Sequence, residues 1–383
     1  MSRTVYFDYN ATTPLDPAVR EAMLPFLGEV WGNPSSVHHV GQRARAALDD
    51  ARDRASGVLK CKPSEVIFTS GGTESNNLAI FGAARLLASQ GKHLITSAIE
   101  HHAVLHCFDY LEAKEGFQVT RLPVDGEGRV SPDDLKQAIR KDTTLVSIMA
   151  ANNEIGTIQP VAELGAICRE RGIIFHSDAV QWFGKELFTS VNQFNADLVS
   201  LCAHKFHGPK GAGLLYLRSP LHPDPILFGG GHEHERRAGT ENLAGIAGLV
   251  EALERFVPTP VFEAPMLNPL VARLSAMIDR LPGVQRVGSH THRLANTVAF
   301  LVEGADSIAL LAALDMEGIC ASSGSACSAG SLEPSHVIAA LAVPRELADS
   351  LVRFSLGRAS TLAEVELVER VLPELITRAQ RAK

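Results

Sequence analysis

An α/β fold is what this sequence predicts: a mainly parallel sheet wrapped by helices, joined to a smaller α+β domain. Short apolar runs recur along the chain, each ending in polar residues, and most are separated by helical stretches. The 383 residues exceed what one ordinary core organises, which favours two domains. A proline-rich stretch at 257–261 marks a change of composition. It places the large domain at 15–260. The small domain takes 261–383, with the arm 1–14 joined to it.

In chain order, Asp8, Asn10, Thr12 and Thr13 form a polar opening ahead of Pro14. Asp16 and Pro17 resemble a helix start, and 18–26 has helical spacing. The GNPSS run at 32–36 is a loop by its residue types, and 42–59 is an amphipathic helix rich in Ala, Arg and Leu. A strand at 66–70 runs into Gly71-Gly72-Thr73 and then a helical pattern over 78–88. Strand, glycine turn and helix leave free backbone N–H groups at a helix start, which attracts a phosphate. An ordinary capped helix reads the same way. Apolar runs at 94–97, 145–149 and 173–176 end in Glu100-His101-His102, Asn152-Asn153-Glu154 and Asp178-Ala179-Val180-Gln181. Right-handed crossovers place the C-terminal ends of parallel strands on one rim, where open sheets bind ligands. Thr73, His101, Asn153, Asp178, Gln181 and Lys205 are therefore expected to converge. Beyond a glycine-led polar loop at 229–240 the pattern predicts helices at 241–256, 267–281 and 307–315 and a strand at 296–301.

Lys205 stands between His204 and His207, after an apolar segment at 197–201 and before a Gly/Pro run. A lysine at a strand end among small residues suits a covalent imine. An amine attacks a carbonyl only when neutral, and burial or a nearby cation lowers its ordinary pKa of about 10.4. A surface lysine in a glycine turn fits this stretch equally well.

A net charge of −7 argues against nucleic acid or an anionic membrane as the main partner. No apolar run is long enough to span a bilayer, and the N-terminal stretch lacks a signal-peptide core, so a cytoplasmic protein is expected. None of the six cysteines forms a C-x-x-C pair. The run His232-Glu233-His234-Glu235 has metal-binding residue types but no third spaced ligand, so no metal site is assigned to the protein alone.

Ten motifs occur in order over essentially the whole chain: DYNATTP, GNPSS, FTSGGTESNN, EHHAVL, ANNEIGTIQP, HSDAVQ, HKFHGPKG, RRAGTEN, SSGSACSAGSLEPSHV and RFSLGR. Together they resemble the class V aminotransferase-type pyridoxal-phosphate enzymes. Within these the chain is similar to the cysteine desulfurases of the nitrogen-fixation and iron–sulfur-assembly group. The resemblance implies fold type I, pyridoxal 5'-phosphate as cofactor, and Lys205 as its covalent anchor. It implies that Asp178 pairs with the pyridine nitrogen, that His101 stacks on the ring and moves protons, and that Asn153 and Gln181 hold the phenolic oxygen. Gly72, Thr73, Cys202 and His204 would surround the phosphate. Thr240 would reach the phosphate in a partner subunit, which implies a homodimer. Many relatives carry Ser where Cys202 stands, and a thiol is the weaker donor. Asn33 and Arg353 resemble a pair that grips a substrate carboxylate, for which the planar Arg fork is suited.

The residues 322–331 are nearly all small, a run that cannot pack a core and predicts a mobile loop. Cys327 in that loop suits catalysis rather than burial. The resemblance implies that Lys205 takes the α-proton of L-cysteine while the Cys327 thiolate attacks its sulfur. Alanine and a persulfide on Cys327 result. The sulfur would pass to an acceptor such as an iron–sulfur scaffold protein, with Cys327 a transient cluster ligand. Alternatives are an aminotransferase, a kynureninase-like hydrolase or a selenocysteine lyase on the same fold, a sulfur donor for tRNA thiolation, a non-catalytic binding protein, and a Cys/His hydrolase.

Overall fold

The computed structural model describes residues 4–324 and 334–381. Cys327 lies outside the described residues. The strands are β1 (Val5–Tyr6), β2 (Val66–Thr69), β3 (His93–Ser97), β4 (Gln118–Leu122), β5 (Thr143–Ser147), β6 (Ile174–Asp178), β7 (Leu198–Cys202), β8 (Gly213–Leu217), β9 (Val284–Val287), β10 (Thr297–Val302), β11 (Ile319–Cys320) and β12 (Val352–Ser355).

Seven strands form the main sheet in the order β2-β8-β7-β6-β5-β3-β4. Every residue of β2, β3, β5, β7 and β8 is buried, which is why their sequences are near-continuous apolar runs rather than alternating ones. Alternate residues feed two cores. Ile67, Leu94, Leu145, Leu198 and Leu215 face one side, and Phe68, Ile95, Val146, Val199 and Leu214 face the other. The pairings from β4 to β7 are parallel, as expected, whereas β8 runs antiparallel to both β7 and β2. The reversal follows from the short link between β7 and β8. A parallel return needs a crossover of a dozen or more residues.

Two strands carry no readable apolar run. β4 sits at the sheet edge, with Gln118 and Arg121 exposed, and β9 is only partly buried. Several predicted ends move. The helix read at 42–59 begins at His39, where His38 Nδ1 accepts the N–H of Gly41. The helix read at 267–281 spans Ala264–Ile278, and that read at 241–256 spans Leu243–Phe256. Boundaries of this kind depend on capping contacts that composition does not display.

A buried imidazole joins the middle strands. His176 on β6 reaches Ser147 Oγ on β5 at 2.7 Å and Ser200 Oγ on β7 at 3.0 Å. Burial pushes its pKa down to about 3, so it stays neutral and uses both nitrogens.

The second sheet has the antiparallel order β12-β10-β9, and the helix Ala264–Ile278 packs on β9 and β10. The N-terminal arm enters it from the far end of the sequence. β1 pairs in parallel with β11, and Asp8 bridges to Ser355. The arm thus lies between the small sheet and the C-terminal rim of the large one.

Gly213 begins β8 at that rim. A Cβ there would stand 2.6 Å from the Gly71 Cα, too close for any real contact. The two glycines let β8 pass behind the turn that starts the helix Gly72–Leu86. Gly213→Ala is expected to destabilise the protein by about 1–3 kcal/mol, read from the denaturant midpoint.

Candidate active site

The C-terminal rim opens on a cavity of about 240 Å³. Its lining includes Gly72, Thr73, His101, Asn153, Asp178, Gln181, Cys202, His204, Lys205 and Arg353 from the residues named in the sequence. They arrive on five strand ends and on β12. Gly72 and Thr73 follow β2, His101 follows β3, and Asn153 follows β5. Asp178 ends β6, Gln181 follows it, and Cys202 ends β7 just before Lys205. Asn33 and Thr240 are not among the lining residues. Asn33 is exposed, and its side-chain oxygen accepts the N–H of Ser35. Thr240 is exposed beside a second hollow with Arg237 and Ser70.

Lys205 lies on a short 3-10 turn, Ala203–Lys205. Its Nζ donates to the carbonyls of Asn10 at 2.7 Å and Ala11 at 2.8 Å. Burial pushes the amine below its ordinary value, and the nearby Arg353 adds to the shift. The amine is therefore turned inward, and among the described residues it makes no ion pair.

Asp178 is presented by two donors. Asn76 Nδ2 reaches one carboxylate oxygen at 2.7 Å and the N–H of Val180 the other at 3.0 Å. Turns, not an α-helix, follow it, so the carboxylate is not a helix cap. His101 does cap a helix: its Nδ1 accepts the N–H of Ala103 at 3.1 Å at the start of His102–Glu115. That contact puts the ring proton of the neutral form on Nε2. Burial lowers its pKa, Asp178 opposes the shift, and Lys205 adds to it. His204 is pushed down to about 4 by burial, with Lys205 and Lys210 acting in the same direction. Cys202 is raised to about 11 by burial and so remains a thiol at neutral pH.

Arg353 is 1 % exposed. Its Nη2 meets Asp8 at 2.5 Å, and its Nη1 donates to the carbonyls of Asn153 and Gly324 at 2.8 and 2.9 Å. Its Nε is buried with no partner among the described residues, a donor left over for an acceptor in the cavity.

Two further polar residues, Asn10 and Asn76, line the cavity without standing at a strand end. Asn10 belongs to the polar arm and gained meaning only when the arm met the rim. Asn76 stood one helical turn after Gly72, on the face that meets the cavity, and that spacing was a usable clue. Of the remaining clusters, Glu233 is held by Arg52 through two bonds of 2.7 and 2.8 Å, so the carboxylate in the His-Glu-His-Glu run is already engaged. His102 lies against His106 and His336, with ring centroids 5.0 and 4.7 Å away. Among the described residues no group of three His, Cys, Asp or Glu stands ready to hold a metal ion.

These residues fit a small anionic aromatic cofactor that carries an aldehyde. The site offers one desolvated amine for a covalent link, one carboxylate for a ring nitrogen, and the open helix start at Gly72–Thr73 for a phosphate. At Gly72 a Cβ would come within 2.7 Å of Val180 Cγ2, so the wall there is backbone by necessity.

Next to this site, Glu100 is fully enclosed. Its Oε1 takes Ser97 Oγ at 2.5 Å and the Met149 N–H at 2.9 Å, while Oε2 has no partner among the described residues. Burial raises its pKa from 4.5 to about 8. A raised folded pKa means stability that is full below 4.5 and lost as pH rises through 8. Glu100→Gln mimics the protonated acid. Relative to it, the parent protein should lose up to roughly 4–5 kcal/mol between these limits, measured as Tm against pH.

The family model for aminotransferase class-V matches residues 5–368. A cysteine desulfurase IscS of Dictyoglomus turgidum is 48% identical over 382 residues, covering 98% of this chain and 96% of that protein. A solved structure described as a NifS-like protein aligns with TM-score 0.91 at 36% identity, over 98% of this chain and 100% of the other. Another, described as SspA in complex with cysteine, aligns with TM-score 0.82 at 36% identity, over 94% and 100%.

Proposed function

The chain belongs to the aminotransferase class-V family, and on that footing we propose that it is a cysteine desulfurase serving iron–sulfur cluster assembly. The observation that carries the proposal is the desolvated Lys205 amine, facing a cavity shared with Asp178 and His101. Pyridoxal 5'-phosphate, the cofactor of this family, supplies when bound an electron sink for charge at the carbon beside the substrate amine.

The protein's own groups do the rest. Lys205 holds the cofactor through Nζ. When substrate displaces it, it is a neutral amine, free to take a proton at that atom. Asp178, fixed by Asn76 and Val180, would supply the carboxylate for the cofactor's ring nitrogen. His101 is kept neutral with its proton on Nε2, so it can donate at the ring face. Gly72, Thr73 and His204 would hold the phosphate, with the Cys202 thiol beside them, and Asn153 and Gln181 would hold the phenolic oxygen.

Arg353 receives the carboxylate of L-cysteine. Its unpaired Nε is the first donor available, and Asp8 is the group with which the incoming carboxylate must compete. Cys327, as thiolate, attacks the substrate sulfur. The carbon–sulfur bond breaks, a sulfur–sulfur bond forms, and the substrate carbon gains a proton. L-cysteine and the Cys327 thiol thereby become alanine and a Cys327 persulfide. A sulfur-acceptor protein takes the outer sulfur. We assign Thr240, which lies outside its own cavity, to the site of a second copy in a homodimer, and Asn33, with Arg353, to the substrate carboxylate.

Incubation with L-cysteine should add one sulfur atom to the peptide bearing Cys327 and release alanine, read by mass analysis. Lys205→Ala should lower alanine release by about 10³-fold or more. Cys327→Ala should still take up the cofactor but transfer no sulfur. Full sulfide release by Cys327→Ala would overturn the proposal.

A further inference from the structure

Lys185 has no part in the chemistry above, yet it is enclosed directly behind the cavity wall, 5 % exposed. Its Nζ donates to Asn10 Oδ1 at 2.6 Å and to Gln181 Oε1 at 2.5 Å. It lies 5.2 Å from the centroid of the Phe262 ring and makes no salt bridge among the described residues. Burial, with Lys205 and Arg353 nearby, pushes this amine well below its ordinary value. Two N–H groups spent on two amide oxygens suit a neutral amine.

The contact matters because an amide has two ends of nearly the same shape and opposite hydrogen-bonding sense. A neutral lysine amine has two N–H donors, and both are spent here on amide oxygens. The oxygen ends of Asn10 and Gln181 therefore face Lys185, and their nitrogen ends face away from it. Asn10 Nδ2 reaches the Asn153 carbonyl at 3.1 Å and Thr297 Oγ1 at 2.9 Å. Gln181 Nε2 reaches the Asn10 carbonyl at 3.0 Å, the same carbonyl that holds Lys205. Both amides line the cavity.

We propose that Lys185 is a positioning residue: by holding the oxygen of Gln181 it keeps that amide's nitrogen on the cavity side, where the N–H not spent on the Asn10 carbonyl is a donor for the anionic ring oxygen of the bound cofactor. This rests on the cofactor reading given above. Without Lys185 the amide can turn over and present its oxygen to that anion, which repels it. A donor lost there weakens cofactor binding by about tenfold. It also shifts the pH midpoint of the bound cofactor's absorbance change by about half a unit or more.

The test is a double-mutant cycle of the parent protein, Lys185→Met, Gln181→Ala and the double variant, each loaded with pyridoxal 5'-phosphate. The readouts are cofactor Kd and the absorbance midpoint. Lys185→Met should move both, and in the Gln181→Ala background it should move neither further. If Lys185→Met leaves both unchanged, or if its effect adds in full to that of Gln181→Ala, the inference is overturned. Should Lys185→Met fail to fold, Lys185→Leu, which also removes the donor, enters the same cycle under the same criteria. A parent protein that takes up no pyridoxal 5'-phosphate would overturn the cofactor reading itself, and this inference with it.

Discussion

A lysine amine taken out of water at the rim of a parallel sheet is the constraint from which the rest of this structure follows. Removing a charge from water costs several kcal/mol, and that cost is avoided when the group stays neutral. Among the described residues Lys205 has no carboxylate partner that would restore its charge. It has two backbone carbonyls instead, which accept from a neutral amine without stabilising the cation as strongly as an anion would. Those carbonyls belong to Asn10 and Ala11, so the arm that carries them must be fixed. β1 on β11, and Asp8 on Ser355 and Arg353, fix it.

The surroundings repeat this preference for neutral groups. His176, His204 and Glu100 all have their charged forms suppressed by burial, and Cys202 stays a thiol. Among the described residues few fixed charges then remain near the cavity, chiefly Asp178 and the Arg353–Asp8 pair. A site of this kind leaves the anionic groups of a ligand to meet N–H donors rather than scattered cations. Each such donor counts for more where water is excluded.

Much of this was legible in the sequence, for a physical reason. Strands buried on both faces are continuous apolar runs, so β2, β3, β5 and β7 announced themselves, and the rim that gathers their ends followed from the handedness of crossovers. β4 and β9 did not, because an exposed or half-buried strand needs no apolar run. The direction of β8 lay in the length of a connection rather than in its own residues. Within the site, Gly72, His101, Asp178 and Lys205 sit at strand ends and were found there. Asn10 and Lys185 were not. Their roles come from contacts 195 and 175 residues away, or from a neighbour's amide, and no local pattern records these. Asn33 and Thr240 were read from resemblance alone, and the single chain leaves both outside the cavity.

The pairing of Lys205 with the Asn10 and Ala11 carbonyls makes the first dozen residues part of the catalytic apparatus. They carry no helix, but trimming them would remove β1 and the buried side chains of Val5, Phe7 and Tyr9. It would take away the two acceptors on the amine and the carboxylate on Arg353 at once. A purification tag or fusion partner is therefore better attached beyond the closing helix, Leu362–Arg381, than ahead of the opening strand.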